Sequence, residues 1–196
     1  MTNRINKITS IILLACTLPW TCYSFILEQE KQNDLIKWTE SSKLEWNDFQ
    51  GAPPKTTEHK AMTFTTINAM LESYSEDSIV YRIDNFFNKE KSWTLDNHSK
   101  SLLAHEQLHF DISELITRRT RKAYSLIDLS KLNGDYSEIS NTFEHFTTHV
   151  KDSLNEKYDR ETKHGVDLEQ QEKWQLYVQS ELDKLAEHTS PIVIIK

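Results

Sequence analysis

The order of apolar and polar residues changes period twice along this chain. A short apolar run, ITSIILLACTLPW at 8–20, follows the cationic stretch MTNRINK and precedes the small residues of CYS, ahead of Phe25. A positive head, a run too short to span a bilayer comfortably and small residues before a cut form a secretory signal pattern. Residues 1–24 are therefore read as a signal peptide and residues 25–196 as a single domain. From 43 to 95 the pattern is strand-like. AMTFTTINAML (61–71) mixes β-formers with partial alternation, and SIVYRIDNFF (78–87) sets Ile79, Tyr81 and Ile83 against Val80, Arg82 and Asp84. KSWTL (91–95) is a shorter third run, and the breakers GAPPKTT (51–57) and SEDS (75–78) separate them. This predicts two to four antiparallel strands.

After residue 97 the apolar positions recur at helical spacing, with only Gly134, Gly165 and Pro191 to interrupt them. A first helix is predicted from about Ser99 to Leu129, capped by Asp96, Asn97 or Ser99, and LNGDYS breaks it. A second runs from about Ser137 to His164 with Ile139, Phe143, Phe146, Val150, Leu154 and Tyr158 on one stripe, ended by Gly165 as a C-cap. A third covers about Asp167 to Glu187. The tail PIVIIK is suited either to a sheet edge or to a hydrophobic handle.

Composition narrows the class. The chain is 37% hydrophobic and 27% charged, enough for a globular core. Its net charge is −7, and losing Arg4 and Lys7 with the signal makes this −9. The one basic run, Arg118 to Lys122, falls in a helix and reads as a solvated face. No aromatic-interleaved basic surface is present, so nucleic acid is not an expected partner. Both cysteines, Cys16 and Cys22, lie in the signal segment. The exported chain then has no disulfide and depends on its core or a metal. The expected location is secreted or periplasmic, with no stable membrane span after signal removal. The alternative is a lipoprotein anchored through Cys16, since LLAC at 13–16 loosely matches a lipidation site.

The chemistry concentrates in AHEQLHFD, residues 104–111. Helical residues turn by about 100° each, so His105 and His109 lie about 40° apart, one turn along the axis, and Glu106 can reach the point on which they converge. This is the HExxH spacing, in which two imidazoles hold Zn²⁺ and the glutamate orients and deprotonates a zinc-bound water. Chance places the pattern about 0.03 times in a chain of this composition. The helix around it carries Leu102, Leu103, Leu108, Phe110, Ile112, Leu115 and Ile116 on nearly every side, which predicts burial. Buried histidines need partners, and a metal satisfies both. Asp111 points about 160° from His109 and is excluded as a ligand.

A third ligand must come from elsewhere. YDRETKHG at 158–165 offers His164 first, with Asp159 and Glu161 as alternatives. His145 and His149 form another i, i+4 pair without a glutamate, and His59, His98 and His188 read as surface residues, although His98 lies two turns before His105 on the same side and is a candidate fourth ligand. Tyr158 has two readings, a hydrogen-bond donor to a developing oxyanion and a core tyrosine on its helix stripe. Trp46, Phe49 and Trp174 read as packing residues, with a cleft lining as the alternative for Trp46 and Phe49.

Three stretches together, LEWNDFQGAPP (44–54), LLAHEQLHFDISEL (102–115) and YDRETKHG with QQEKW (158–174), resemble the bacterial secreted family known as domain of unknown function 922. That family is described as zinc-dependent proteases of the zincin-like clan. The resemblance spans about 40–185 and implies a zincin-like α+β fold, with antiparallel strands packed on the HExxH helix and two further long helices after it. It implies His105 and His109 as zinc ligands and Glu106 as catalytic base. His164 falls on the family's second motif, whereas Leu108 stands where many members have glycine. The expectation is a secreted metallopeptidase acting on peptide or protein substrates. The alternatives are a non-catalytic, zinc-stabilised cell-envelope interaction protein and a cell-wall amidase.

Overall fold

A computed structural model describes residues 34–196. The signal segment 1–24 and Cys16 lie outside the described residues. Strands and helices segregate, as the change of period near residue 95 predicted, and the architecture is mixed α+β. Strand β1 (Leu35–Lys37), β3 (Thr65–Tyr74), β4 (Ile79–Asn88) and β6 (Ile192–Ile195) form an antiparallel sheet, and β2 (Ala61–Met62) pairs with β5 (Trp93–Thr94) in a small ribbon. β4 is central. β3 pairs along one side of it, while β1 and β6 share the other side end to end, β1 against Phe86–Asn88 and β6 against Ile79–Arg82. The tail PIVIIK is thus a sheet strand.

The period-2 pattern of β4 explains its placement. Ile79, Ile83, Asn85 and Phe87 are buried at alternate positions, the face that meets the long helix α1 (Lys100–Ser125). Ser99 caps α1, its hydroxyl accepting from Leu102 N–H at 3.2 Å. Asn85 is the polar exception on this face. Its amide donates to Phe110 O at 3.3 Å and accepts from Ser113 Oγ at 2.8 Å, which sets the height of α1 on the sheet.

Three helical pieces cover the other sides of α1. A short α2 (Leu129–Leu132) leads into α3 (Ser137–Glu144), a π-helical turn (His145–Val150) and α4 (Lys151–Thr162), one nearly continuous rod where a single helix was predicted. Helix α5 (Leu168–Lys184) starts at an Asp167 cap. Leu108, Ile112 and Leu115 of α1 bury against Tyr158 of α4 and Trp174, Val178 and Leu182 of α5. Trp46, Phe49 and Leu44 join Phe87 and Phe110 in a separate cluster, so Trp46 and Phe49 are packing residues.

The basic run departs from the expectation. Arg118 and Arg121 are buried, not solvated. Both reach Glu114, at 3.3 and 3.1 Å, and their remaining donors take the carbonyls of Leu182, Ile83, His188 and Thr189. The run looked like a surface because the carbonyls that take its remaining donors are far away in sequence. No helix among the described residues is long and apolar enough to cross a membrane.

Candidate metal centre

The second and third turns of α1 carry His105, Glu106 and His109 into a cleft of about 620 Å³ whose far wall is the segment Ala61–Thr65. His105 and Glu106 are buried and His109 is half-buried. The two Nε2 atoms stand 3.2 Å apart. Asp159 of α4 brings Oδ1 to 3.0 Å from one and 3.1 Å from the other. These three residues form a group that could hold a metal ion. A tetrahedral ion with bonds of 2.0–2.1 Å separates its ligands by about 3.3 Å. The three observed separations fall just short of that, so the donors need to relax outward by only a few tenths of an ångström.

The other ring nitrogens show why Nε2 faces the centre on both histidines. His105 Nδ1 lies 3.2 Å from Gln171 Oε1, and His109 Nδ1 lies 2.8 Å from Asn155 Oδ1. Asn155 Nδ2 donates to Lys151 O at 3.0 Å, which fixes the oxygen end of its amide toward the ring. An amide oxygen accepts only, so each Nδ1 carries the proton and each Nε2 turns a lone pair inward. Two lone pairs and a carboxylate oxygen about 3 Å apart repel one another unless a cation or protons lie between them. The electrostatics say the same. Burial alone raises the Asp159 carboxyl, but hydrogen bonds to His105 and His109 reverse this and hold it well below the usual range. Burial lowers His109, yet its bond to Asp159 and the nearby charge of Glu106 leave it raised. The site favours positive charge at its centre.

Glu106 completes the arrangement. Its backbone oxygen accepts from Thr63 Oγ1 at 3.2 Å, which ties the helix to the far wall of the cleft. Its Oε2 is buried with no hydrogen-bond partner among the described residues. The other such oxygen, Asp84 Oδ1, lies 2.7 Å from Lys37 Nζ, so among the described residues Glu106 alone is orphaned. A buried carboxylate oxygen without a donor is costly, and one beside a set of metal ligands is placed for a proton or a donor that binds with substrate.

His164 is brought to the rim, not into the three-residue group. It is exposed, with Nδ1 at 3.6 Å from Asp159 Oδ1, and its ring meets that of His59 at 4.9 Å between centroids. The cause is backbone geometry. Lys163, His164 and Gly165 all have positive φ (51°, 55° and 78°), three left-handed residues that reverse the chain after α4. This turn lays Gly165 against the His105 side chain, where a Cβ would sit 2.9 Å from His105 Cβ. Glu161 points elsewhere and accepts from Trp174 Nε1 at 2.9 Å.

Tyr158 does not offer its hydroxyl to the cleft. It is fully buried and donates to Gln171 Oε1 at 2.7 Å, with the His105 carbonyl at 3.2 Å. Its ring stacks on His105 at 4.6 Å. Burial pushes its pKa well above the usual phenol range, so it stays protonated and holds Gln171 in place. Asp111, excluded as a ligand, accepts from Trp38 Nε1 at 2.8 Å and Gln107 Nε2 at 3.0 Å. His98, His145 and His149 are exposed and outside the site. Sequence reasoning missed Asn155 and Gln171. The available signal was that Asn155 precedes Asp159 by four residues and shares its helix face.

Comparison with protein-family models, with curated proteins and with solved structures found no match to this chain.

Proposed function

We propose that the protein is an exported, zinc-dependent metallopeptidase of zincin-like architecture. The observation that carries this reading is the orphaned, buried Oε2 of Glu106 beside the His105–His109–Asp159 group. A site that served only to hold a metal has no use for an unpaired acid there. The donor set of two imidazoles and one carboxylate suits zinc. The likeness of three sequence stretches to the secreted protease family supports the same reading, as does the signal pattern.

Zinc, when bound, supplies a Lewis acid that polarises a carbonyl and makes water a nucleophile near neutral pH. The chain's own residues supply the rest. Gln171 and Asn155 hold the two imidazoles in one tautomer and one orientation. Glu106 Oε2 accepts the proton that the attacking water gives up and delivers it to the leaving nitrogen. Tyr158 stacks on the His105 ring, and Gly165 packs against the base of that side chain. His164 and His59, at the rim, are the imidazoles that a bound peptide meets first.

Metal analysis of purified protein, with cleavage of denatured casein by wild type and Glu106→Gln, tests this reading. One equivalent of zinc and a loss of about 10²-fold or more in cleavage on substitution are expected. Equal cleavage by the two proteins refutes the role of Glu106. A second reading rests on the 3.6 Å approach of His164 to Asp159. If His164 closes the site as a fourth ligand, the metal is structural and the protein is a zinc-stabilised interaction module. In that case His164→Ala weakens zinc binding as much as His105→Ala does, and casein is not cut. Activity on cell-wall peptides but not on casein identifies an amidase.

A further inference from the structure

The cleft contains a cation that the hydrolytic machinery does not use. Lys151 begins α4, and its ammonium donates to Thr65 O at 2.9 Å, linking the helix to the start of β3. Lys151, Asn155 and Asp159 succeed one another at four-residue intervals, so they share one helix face, and all three line the same cleft. An ammonium has three donors. Among the described residues only the Thr65 carbonyl takes one, and no carboxylate lies within ion-pair distance. The neighbouring Asp152 is exposed and makes no ion pair with it.

Lys151 is half-buried, and an ammonium partly withdrawn from water is normally paired with an acid. Burial lowers the Lys151 pKa, and the nearby charge of Asp152 offsets this only in part. The backbone is also special at this point. The π-helical turn His145–Val150 ends here, and Lys151 N–H closes it by bonding to Phe146 O. Single π turns within helices are frequent at functional sites.

We propose that Lys151 anchors a carboxylate of the bound peptide, so that the cleft selects substrates with an anionic group on one side of the reacting bond. This rests on the peptidase reading. Along α4, Lys151 is about 12 Å from Asp159 at 1.5 Å per residue. An extended peptide covers that in about three or four residues. The carboxylate is either the C-terminus of a short peptide or an acidic side chain a few residues from the bond. Chemistry at the ammonium is the same for both.

Binding of fluorescent hexapeptide pools separates the possibilities, measured by anisotropy on wild type with a chelator present and on zinc-loaded Glu106→Gln. One pair of pools carries neutral residues and ends in a free carboxylate or an amide. A second pair ends in an amide and carries one Asp or one Asn. The carboxylate member of at least one pair is expected to bind about tenfold more tightly, as a charge-assisted hydrogen bond requires. Preference in the first pair identifies the chain terminus, and preference in the second an acidic side chain. Lys151→Met should abolish the preference and Lys151→Arg should keep it. Equal binding within both pairs, no binding by any carboxylate pool, or a preference that survives in Lys151→Met overturns the proposal. The wild-type comparison decides even if Lys151→Met does not fold. A protein that selects the carboxylate pool yet cuts nothing refutes the peptidase reading and leaves the anchor standing. One that cuts casein yet binds both pools alike does the reverse.

Discussion

Replacing Gly165 by alanine tests how the turn after α4 shapes the metal centre, and Gly134 provides the control. Both glycines have positive φ, 78° and 84°, so alanine at either incurs left-handed strain of about 1–2 kcal/mol. Both substitutions also stiffen the unfolded chain to a similar extent, which offsets part of that cost. They differ in surroundings. A Cβ at Gly134 meets nothing within 4 Å, whereas one at Gly165 falls 2.9 Å from His105 Cβ and 3.0 Å from its Cγ. Those atoms are the base of the ring, not a flexible end, so the imidazole or the turn must move. Such overpacking costs about 1–3 kcal/mol. The excess of Gly165→Ala over Gly134→Ala is therefore about 1–3 kcal/mol in denaturant unfolding. At about 2–4 °C per kcal/mol this is a further fall in Tm of roughly 2–12 °C. Moving the ring also disturbs its contacts to Gln171 and Asp159, 3.2 and 3.0 Å long. Zinc affinity, measured by competition with a chromogenic chelator, should fall about tenfold in Gly165→Ala and stay unchanged in Gly134→Ala. Equal stabilities with equal zinc affinities would show that close packing of Gly165 on His105 does not set the ligand geometry.

Asn155→Leu removes the acceptor at His109 Nδ1 while leaving all three proposed ligands; zinc affinity should drop about 10–100-fold, and an unchanged affinity would reject the tautomer argument. Glu114→Gln leaves Arg118 and Arg121 buried without their shared carboxylate, which should cost about 3–5 kcal/mol in chemical denaturation; a loss below about 1 kcal/mol would mean that the backbone carbonyls alone suffice. Hydrogen bonds from Lys131 and Ser130 hold the Asp128 carboxyl down at about 2, against an ordinary 3.8. A depressed carboxyl stabilises the fold above its unfolded value and loses that contribution as pH falls through its folded one. The stability difference between wild type and Asp128→Ala should thus be full at pH 6 and shrink steadily from pH 4 to pH 2; a difference independent of pH would show that the contribution of Asp128 does not depend on its charge.

Local geometry made part of this protein legible from its sequence. Helical spacing alone places His105 and His109 on one face with Glu106 beside them, because one turn of backbone decides it. Alternation in β4 was readable for the same reason, since it depends on a few adjacent residues, but the helix expected to run to His164 and be capped by Gly165 stops at Thr162, where Lys163 is the left-handed cap. Other features depended on partners distant in the chain. The same Arg118–Lys122 run could have been a wet surface; Glu114 with the carbonyls of Ile83, Leu182 and His188 makes two of its arginines internal. In YDRETKHG, sequence left His164, Asp159 and Glu161 open as partners for the two histidines. Left-handed backbone at Lys163 and His164, which neither residue type favours, puts the imidazole at the rim and leaves Asp159 facing the centre. Gln171 and Asn155 are ordinary polar helix residues until α4 and α5 close over α1. A helix's own period says which side chains share a face, but only the packing of one element on another says what that face will touch.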